Sequence, residues 1–242
     1  GVYSAMALLD LDTTKAKKYT DTKSVKEESG YTSPFCYPLW PCDRVGEYIL
    51  AKSAVAGAMI QYMASDNEDV PNQSPSNHLL GVGGQCLEDG TEVYLDQDQA
   101  NTVNSYGVTT AINQNGYRLW GNYTGAYPAS SDAKDIWFAV RRMFSWQGNN
   151  FIQTYFDEVD DPMNNVLVQS VVDSENIRCS AYAPKYWAGA SIEYKSDDNP
   201  KTAILAGTMK FRQHIAPYTP AQEIVDIIDY DTDTLAAAVG GN

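Results

Sequence analysis

After Arg212 the chain contains no further Lys or Arg, and Pro217 and Pro220 precede an apolar segment running from Ala221 to Tyr230. Proline fixes φ and lacks a backbone donor, so this pair detaches the segment from the preceding strand and prevents a tight hairpin. As a strand, the segment places Ile224, Ile228 and Tyr230 on one face and Val225 and Ile227 on the other, the pattern of burial on both sides. A helix using Ile224, Ile227, Ile228 and Leu235 competes by spacing. An extended arm would bury such a strand by adding it to the sheet edge of another subunit, through main-chain hydrogen bonds. The plainer alternative is an edge strand within its own domain.

Recognisable chemistry is sparse elsewhere. The only histidines are His78 and His214, which restricts acid-base catalysis and histidine-rich metal sites. Neither a G-x-S-x-G elbow nor a phosphate-cradling or dinucleotide glycine motif is present, and the loose Gly81, Gly83, Gly84 cluster reads as a turn or bulge. Asp229, Asp231 and Asp233 imitate the start of a calcium loop. Thr234 and Gly240 then occupy its glycine and glutamate positions, so the segment reads as a solvated acidic tail. Cys36, Cys42, Cys86 and Cys179 form no C-x-x-C pair and read as packed thiols, with a Cys36–Cys42 disulfide as the alternative.

With 242 residues, 43% of them hydrophobic and 12% aromatic, the chain can fill one large core or two modest ones. The formal charge of −14 opposes nucleic-acid binding and points to protein partners, or serves solubility alone. There is neither an apolar run of membrane-spanning length nor a signal-peptide pattern. No membrane insertion is expected.

Val2 to Leu9 is an apolar run of strand length, with a helix as the alternative that its Ala and Met residues allow. Because the chain starts at Gly1 without a polar leading arm, a fragment of a longer protein is expected. Asp10 to Thr32 reads as exposed helical turns and loop, and the proline-rich Ser33 to Pro41 as an extended edge segment. Helical spacing of Ile49, Leu50, Val55, Met59, Ile60 and Met63 predicts a helix from about Glu47 to Ala64. Asp96 is the expected N-cap of a helix over Gln97 to Tyr106 that Gly107 ends. Val108 to Ile112 and Tyr117 to Trp120 read as strands around an Asn113 to Gly116 turn. Ile136 to Val140 reads as a buried strand, followed by a helix from Arg142 to about Val159. A second helix is expected after Pro162, with Val166, Leu167, Val171, Val172 and Ile177 inward. Strands over Ala188 to Lys195 and Gly207 to Ile215 flank a charged turn. Interleaving without a strict βαβ repeat makes the class α+β.

Tyr117 to Phe156 crowds aromatics, glycines and Arg141-Arg142 together without a recognisable catalytic group. The ordered words Leu119-Trp120-Gly121-Asn122, Ala126-Tyr127-Pro128-Ala129-Ser130, Asp132 to Trp137 and Val140 to Phe144 resemble the C-terminal region of contractile-tail sheath proteins of myophages and phage-tail-like particles. The resemblance continues through Asp160 to Asn164, Asn199-Pro200-Lys201-Thr202 and Pro220 to Val225, with weaker matches at Ser53 to Gly57 and Ser74 to Asn77. It implies a structural protein, not an enzyme, without cofactors, that polymerises helically around a tail tube and contracts to drive the tube through a target envelope. It further implies residues 1–95 as the truncated end of an α/β central domain, and 96–242 as an assembly domain of mixed sheet flanked by helices, ending in an arm over about 217–242. The implied linking strand comprises Glu223, Ile224, Val225, Ile227, Ile228 and Tyr230. Arg118, Lys134, Arg141 and Arg142 become candidates for contact with the tube or a neighbour. For the Arg141-Arg142 pair, read at a strand end, one side chain would be buried in a salt bridge while the other reaches out.

Expected partners are other copies of the chain, the tail tube protein, and baseplate and tail terminator proteins, in a virion or tail-like particle assembled in the bacterial cytoplasm. A hydrolase or carbohydrate-binding module with paired carboxylates and exposed aromatics, or another tube or baseplate component, is the alternative.

Overall fold

The computed structural model describes residues 3–240. Val2, at the head of the first expected strand, and the last two residues of the arm lie outside them.

β1 (Ala7–Asp10) runs parallel to β2 (Cys36–Leu39). A bridge between Leu39 and Thr109 joins this pair to the antiparallel hairpin of β6 (Thr110–Asn113) and β7 (Tyr117–Trp120). Within the segment expected at an edge, Cys36 to Pro41 are therefore internal and buried, while Ser33 is exposed and Pro34 and Phe35 are partly buried. Pro38 is tolerated because its carbonyl accepts from Thr109 N–H at 2.8 Å, while its nitrogen points to the same side, beyond the start of the neighbouring strand. β3 (Cys42–Val45) lies between β4 (Tyr48–Leu50) and β5 (Gly84–Cys86), antiparallel to both. Tyr48 to Leu50 thus form a strand, and the helix expected from Glu47 is α2 (Lys52–Asp66).

α1 (Thr22–Glu28) and α3 (Gln97–Ser105) cover a core of Leu11, Val25, Trp40, Val103 and Val108. Asp96 caps α3 as expected, accepting from Gln99 N–H at 2.8 Å, and Gly107 follows in the left-handed region at φ +71°. Several bonds cross position 95. Gln85 donates to Ala111 O at 2.7 Å and accepts from Ala111 N–H at 3.2 Å.

Buried Lys26 supplies another crossing, because its ammonium donates to the carbonyls of Tyr106 at 2.8 Å and Tyr127 at 2.5 Å. Burial lowers its pKa from 10.5 to about 8. Between these values the unfolded chain binds the extra proton, so this residue's contribution to stability rises with pH across the window and is lost as pH falls to 8. Urea unfolding at pH 8 and pH 10 should show the protein gaining stability relative to Lys26→Met as pH rises. A constant difference between the two would refute the assignment.

The region expected as strand Ile136 to Val140 is helical. α4 (Ala133–Ile136) breaks at Trp137, which has extended backbone, and α5 (Phe138–Thr154) begins immediately. Phe138, Ala139 and Val140 form a buried first turn of α5. α6 (Asn165–Ala181) starts at its N-cap Asn164, not at Pro162, and buries Val168, Val171, Glu175 and Cys179. Val166 and Ile177, expected inward, are exposed. The inward face is set by a polar network at fully buried Glu175, which accepts from Gln147 Nε2 at 2.5 Å, Arg178 Nη2 at 2.6 Å and Tyr155 hydroxyl at 3.2 Å. Gln147 also reaches Gln213 at 3.1 Å, tying α5 and α6 to the strand that carries Gln213.

That strand, β9 (Arg212–Pro217), pairs antiparallel with β8 (Trp187–Glu193), with an irregularity between Trp187 and Gly189. α6 packs on β8, and Met143, Cys179, Tyr186 and Trp187 form the core beneath. A short α7 (Lys201–Leu205) follows the expected charged turn. Beyond Pro217 the chain is extended, without strand pairing, until α8 (Thr232–Ala238). Mixed helix and small sheets bear out the α+β class.

Candidate functional site

Glu223, Ile224, Val225, Ile227, Ile228 and Tyr230 all lie in the extended segment, and none is covered. Ile224 is 89% exposed and Ile228 87%. Full burial of such a side chain contributes about 1.5–3 kcal/mol, so the segment forgoes a large stabilisation where it stands. The competing helix does not form over Ala221 to Tyr230. A helical turn appears only later, where Asp231 accepts from Thr234 N–H at 2.9 Å and caps α8. Asp231 thus caps a helix, and among the described residues no group of metal-ligating side chains occurs.

No third strand joins the β8–β9 pair among the described residues; on the β8 edge the Asn176 side chain donates to Ile192 O and accepts from Ile192 N–H, both at 3.0 Å, so the open edge is that of β9. Unpaired N–H and C=O groups along such an edge are a template for an incoming strand. An exposed apolar segment without a sheet and a two-stranded sheet without further strands therefore occur in one chain.

The basic residues separate. Arg118 is occupied on β7, donating from Nε to Gln114 O at 3.0 Å and from Nη1 to Asn77 O at 2.8 Å. Arg141 pairs with Asp135 at 3.1 Å, and its guanidinium stacks over Phe35 at 4.0 Å. Arg142 lies over Phe138 at 5.4 Å with no ion pair among the described residues, and burial lowers its pKa to about 10. Both arginines sit on helix α5 and are partly buried, so the expected split into one buried and one outward strand residue is corrected. Lys134 is half-buried, with its ammonium 3.9 Å from both Asp132 and Asp135. Lys134 and Arg141 share Asp135, whereas Arg118 stands apart.

All four cysteines are free, and Cys42 lies opposite Cys86 across β3 and β5, not bonded to Cys36. His78 Nδ1 lies 3.1 Å from Ser76 O and His214 Nε2 lies 2.9 Å from Glu193. A polar cleft of about 950 Å³, unforeseen from the sequence, is lined by Gln73, Asn101, Trp120, Tyr123 and Tyr127 and closed on one side by Pro220 to Gln222. It carries amides, hydroxyls, aromatic rings and the His78 imidazole but no carboxylate. Burial raises the Asp43 carboxyl above its usual range, but that group is enclosed with Lys52 away from any cleft. The carboxylate pair that hydrolysis would need is not assembled in the cleft.

No protein-family model matches the chain. The major tail sheath protein of Serratia phage KSP20 is 27% identical over 197 residues, covering 78% of this chain and 48% of that protein. The tail sheath protein of Escherichia phage P2 is 22% identical over 215 residues, covering 84% and 52%. That of Burkholderia phage BcepMu is 28% identical over 180 residues, covering 70% and 36%. The chain spans about half the length, or less, of these relatives. Among solved structures, a contracted PVC sheath complex of an extracellular contractile injection system superposes with a TM-score of 0.78 at 17% identity, over 95% of this chain and 65% of that one. A chain of the anti-feeding prophage baseplate gives 0.74 at 19% identity, over 94% and 60%. In sequence the chain is similar to phage tail sheath proteins, and its fold is shared by chains of contractile injection system sheath and baseplate assemblies.

Proposed function

We propose that these residues form the C-terminal part of a structural, non-enzymatic subunit of a contractile tail sheath, which polymerises helically around a tail tube and contracts to drive it through a cell envelope. The observation that carries this reading is the exposed apolar arm of Glu223 to Tyr230 in a chain whose β8–β9 sheet keeps an open β9 edge. Addition of the arm to that sheet in another copy covers the arm and satisfies both sets of main-chain groups. The subunits then rearrange as near-rigid bodies on contraction while these strand links hold.

Bonds cross the division expected at residue 95, and Phe138 and Asn149 on α5 likewise bond to Asn122 and Ser4, so the assembly unit is defined by its elements rather than by one cut in the chain. α5, α6, β8 and β9 then make up the assembly unit. Among the basic candidates, Lys134 is best placed for contact with the tube or a neighbouring subunit, since Arg118 and Arg141 are engaged internally. Partners on this reading are other copies, the tube, and baseplate and terminator proteins, in a particle assembled in the bacterial cytoplasm.

Electron microscopy of the full-length protein tests the reading. It should form tubular polymers, and deletion of the residues after Pro220 should abolish them while the truncated protein keeps its circular dichroism spectrum. Unchanged polymers would sink the linking role of the arm.

A further inference from the structure

The arm is exposed and unbonded among the described residues from Val225 to Tyr230, yet its root is held. Tyr218 hydroxyl donates to Pro184 O at 2.9 Å, and four residues later Tyr123 hydroxyl donates to Gln222 Oε1 at 2.8 Å. Between these two bonds the chain crosses the rim of the polar cleft, with Pro220, Ala221 and Gln222 forming one wall.

Tyr123 is itself held firmly. Its ring stacks on Tyr127 with centroids 3.7 Å apart and on Trp137 at 4.9 Å. The backbone on either side is bonded to the segment around Trp137, Thr124 N–H donating to Ile136 O and Phe138 N–H to Asn122 O, both at 2.8 Å. Burial and the neighbouring Tyr127 push the Tyr123 hydroxyl above its usual pKa, so it stays protonated as a donor. An ordered donor on the body therefore meets an acceptor at the last tethered residue of the arm.

We infer that the cleft is the seat of the arm's root and that Tyr123–Gln222 is a latch fixing where the arm leaves the body. Tyr123 is a positioning residue, and Gln222 separates a seated root from an adhesive segment that starts at Glu223. In assembly, which rests on the sheath reading above, the latch would set the direction in which the arm reaches a second copy. The latch itself is a property of the isolated chain.

Chymotrypsin gives a direct test, because it cleaves after tyrosine and the arm offers one site at the seated Tyr218 and one at the free Tyr230. Tyr123→Phe keeps the ring in its stack and removes the donor, whereas Gln222→Ala removes the acceptor. Each should speed cleavage after Tyr218 about two- to tenfold, the range expected for losing one hydrogen bond, with cleavage after Tyr230 unchanged. Because the two groups form one bond, the double variant should be no faster than either single variant. Unchanged cleavage after Tyr218, equal acceleration at both sites, or multiplying effects in the double variant would overturn the latch. Polymer formation does not enter this measurement, so it fails or succeeds separately from the linking role of the arm.

Discussion

Lys52→Met should destabilise the protein by about 3–5 kcal/mol, seen as a lower urea midpoint without loss of cooperativity. Lys52 is the first residue of α2, and both it and Asp43 on β3 are fully buried in an ion pair. Taking the ammonium away leaves a buried carboxylate with one oxygen, Oδ2, already lacking a hydrogen-bond partner. The surviving charge must then be desolvated without compensation or protonated at neutral pH, and either route is costly. Replacing both partners, as in Asp43→Leu with Lys52→Met, should recover much of the loss, because no unpaired charge then remains. If Lys52→Met alone unfolds at the wild-type midpoint, the pair contributes nothing to holding α2 on the β3 sheet.

Gly107→Ala should cost about 2–5 kcal/mol, the sum of left-handed backbone strain and overpacking. Its φ of +71° is one in which a Cβ is strained, and an added methyl would meet the Tyr127 carbonyl and lie 2.6 Å from Lys26 Nζ. Neither neighbour can yield cheaply, since these two atoms are already hydrogen-bonded to each other. Gly30 supplies the control, with φ +68° and nothing within 4 Å of an added methyl. Gly30→Ala should lose only about 1–2 kcal/mol through strain. Thermal or urea denaturation of the two variants separates these contributions, and equal losses would show that packing at Gly107 is not tight.

Helix α3 was legible because its signals are local. Asp96, Gln99 and Gly107 cap and stop it within a dozen residues, and the β6–β7 hairpin follows through a short turn. Ile136 to Val140 misled because a short apolar run fits both a buried strand and the first turn of a buried helix. The break at Trp137 is stabilised instead by a bridge to Tyr123, which no local pattern announces. On α6, apolar spacing suggested Val166 and Ile177 as inward. Burial of Glu175 with Gln147, Arg178 and Tyr155 rotated the helix to a different face, and that network spans α5 and α6. The arginines were misplaced for the same reason as the Ile136 strand, since their orientation follows from the element that carries them. Tyr123 and its cleft were missed because a stacked tyrosine with one outward hydroxyl has no sequence spacing of its own.

The sequence by itself determined that an apolar, acid-rich segment follows two prolines and is cut off from the strand before it. Proline chemistry and alternating side chains act over a few residues, so they can be read without knowing what lies nearby. Only the tertiary structure decided that the segment pairs with no strand among the described residues, that the β9 edge stays open, and that Tyr123 bonds Gln222 at the arm's root. Those facts depend on pairings between residues far apart in the chain, which are selected by packing and hydrogen-bond satisfaction across the whole fold rather than by local pattern.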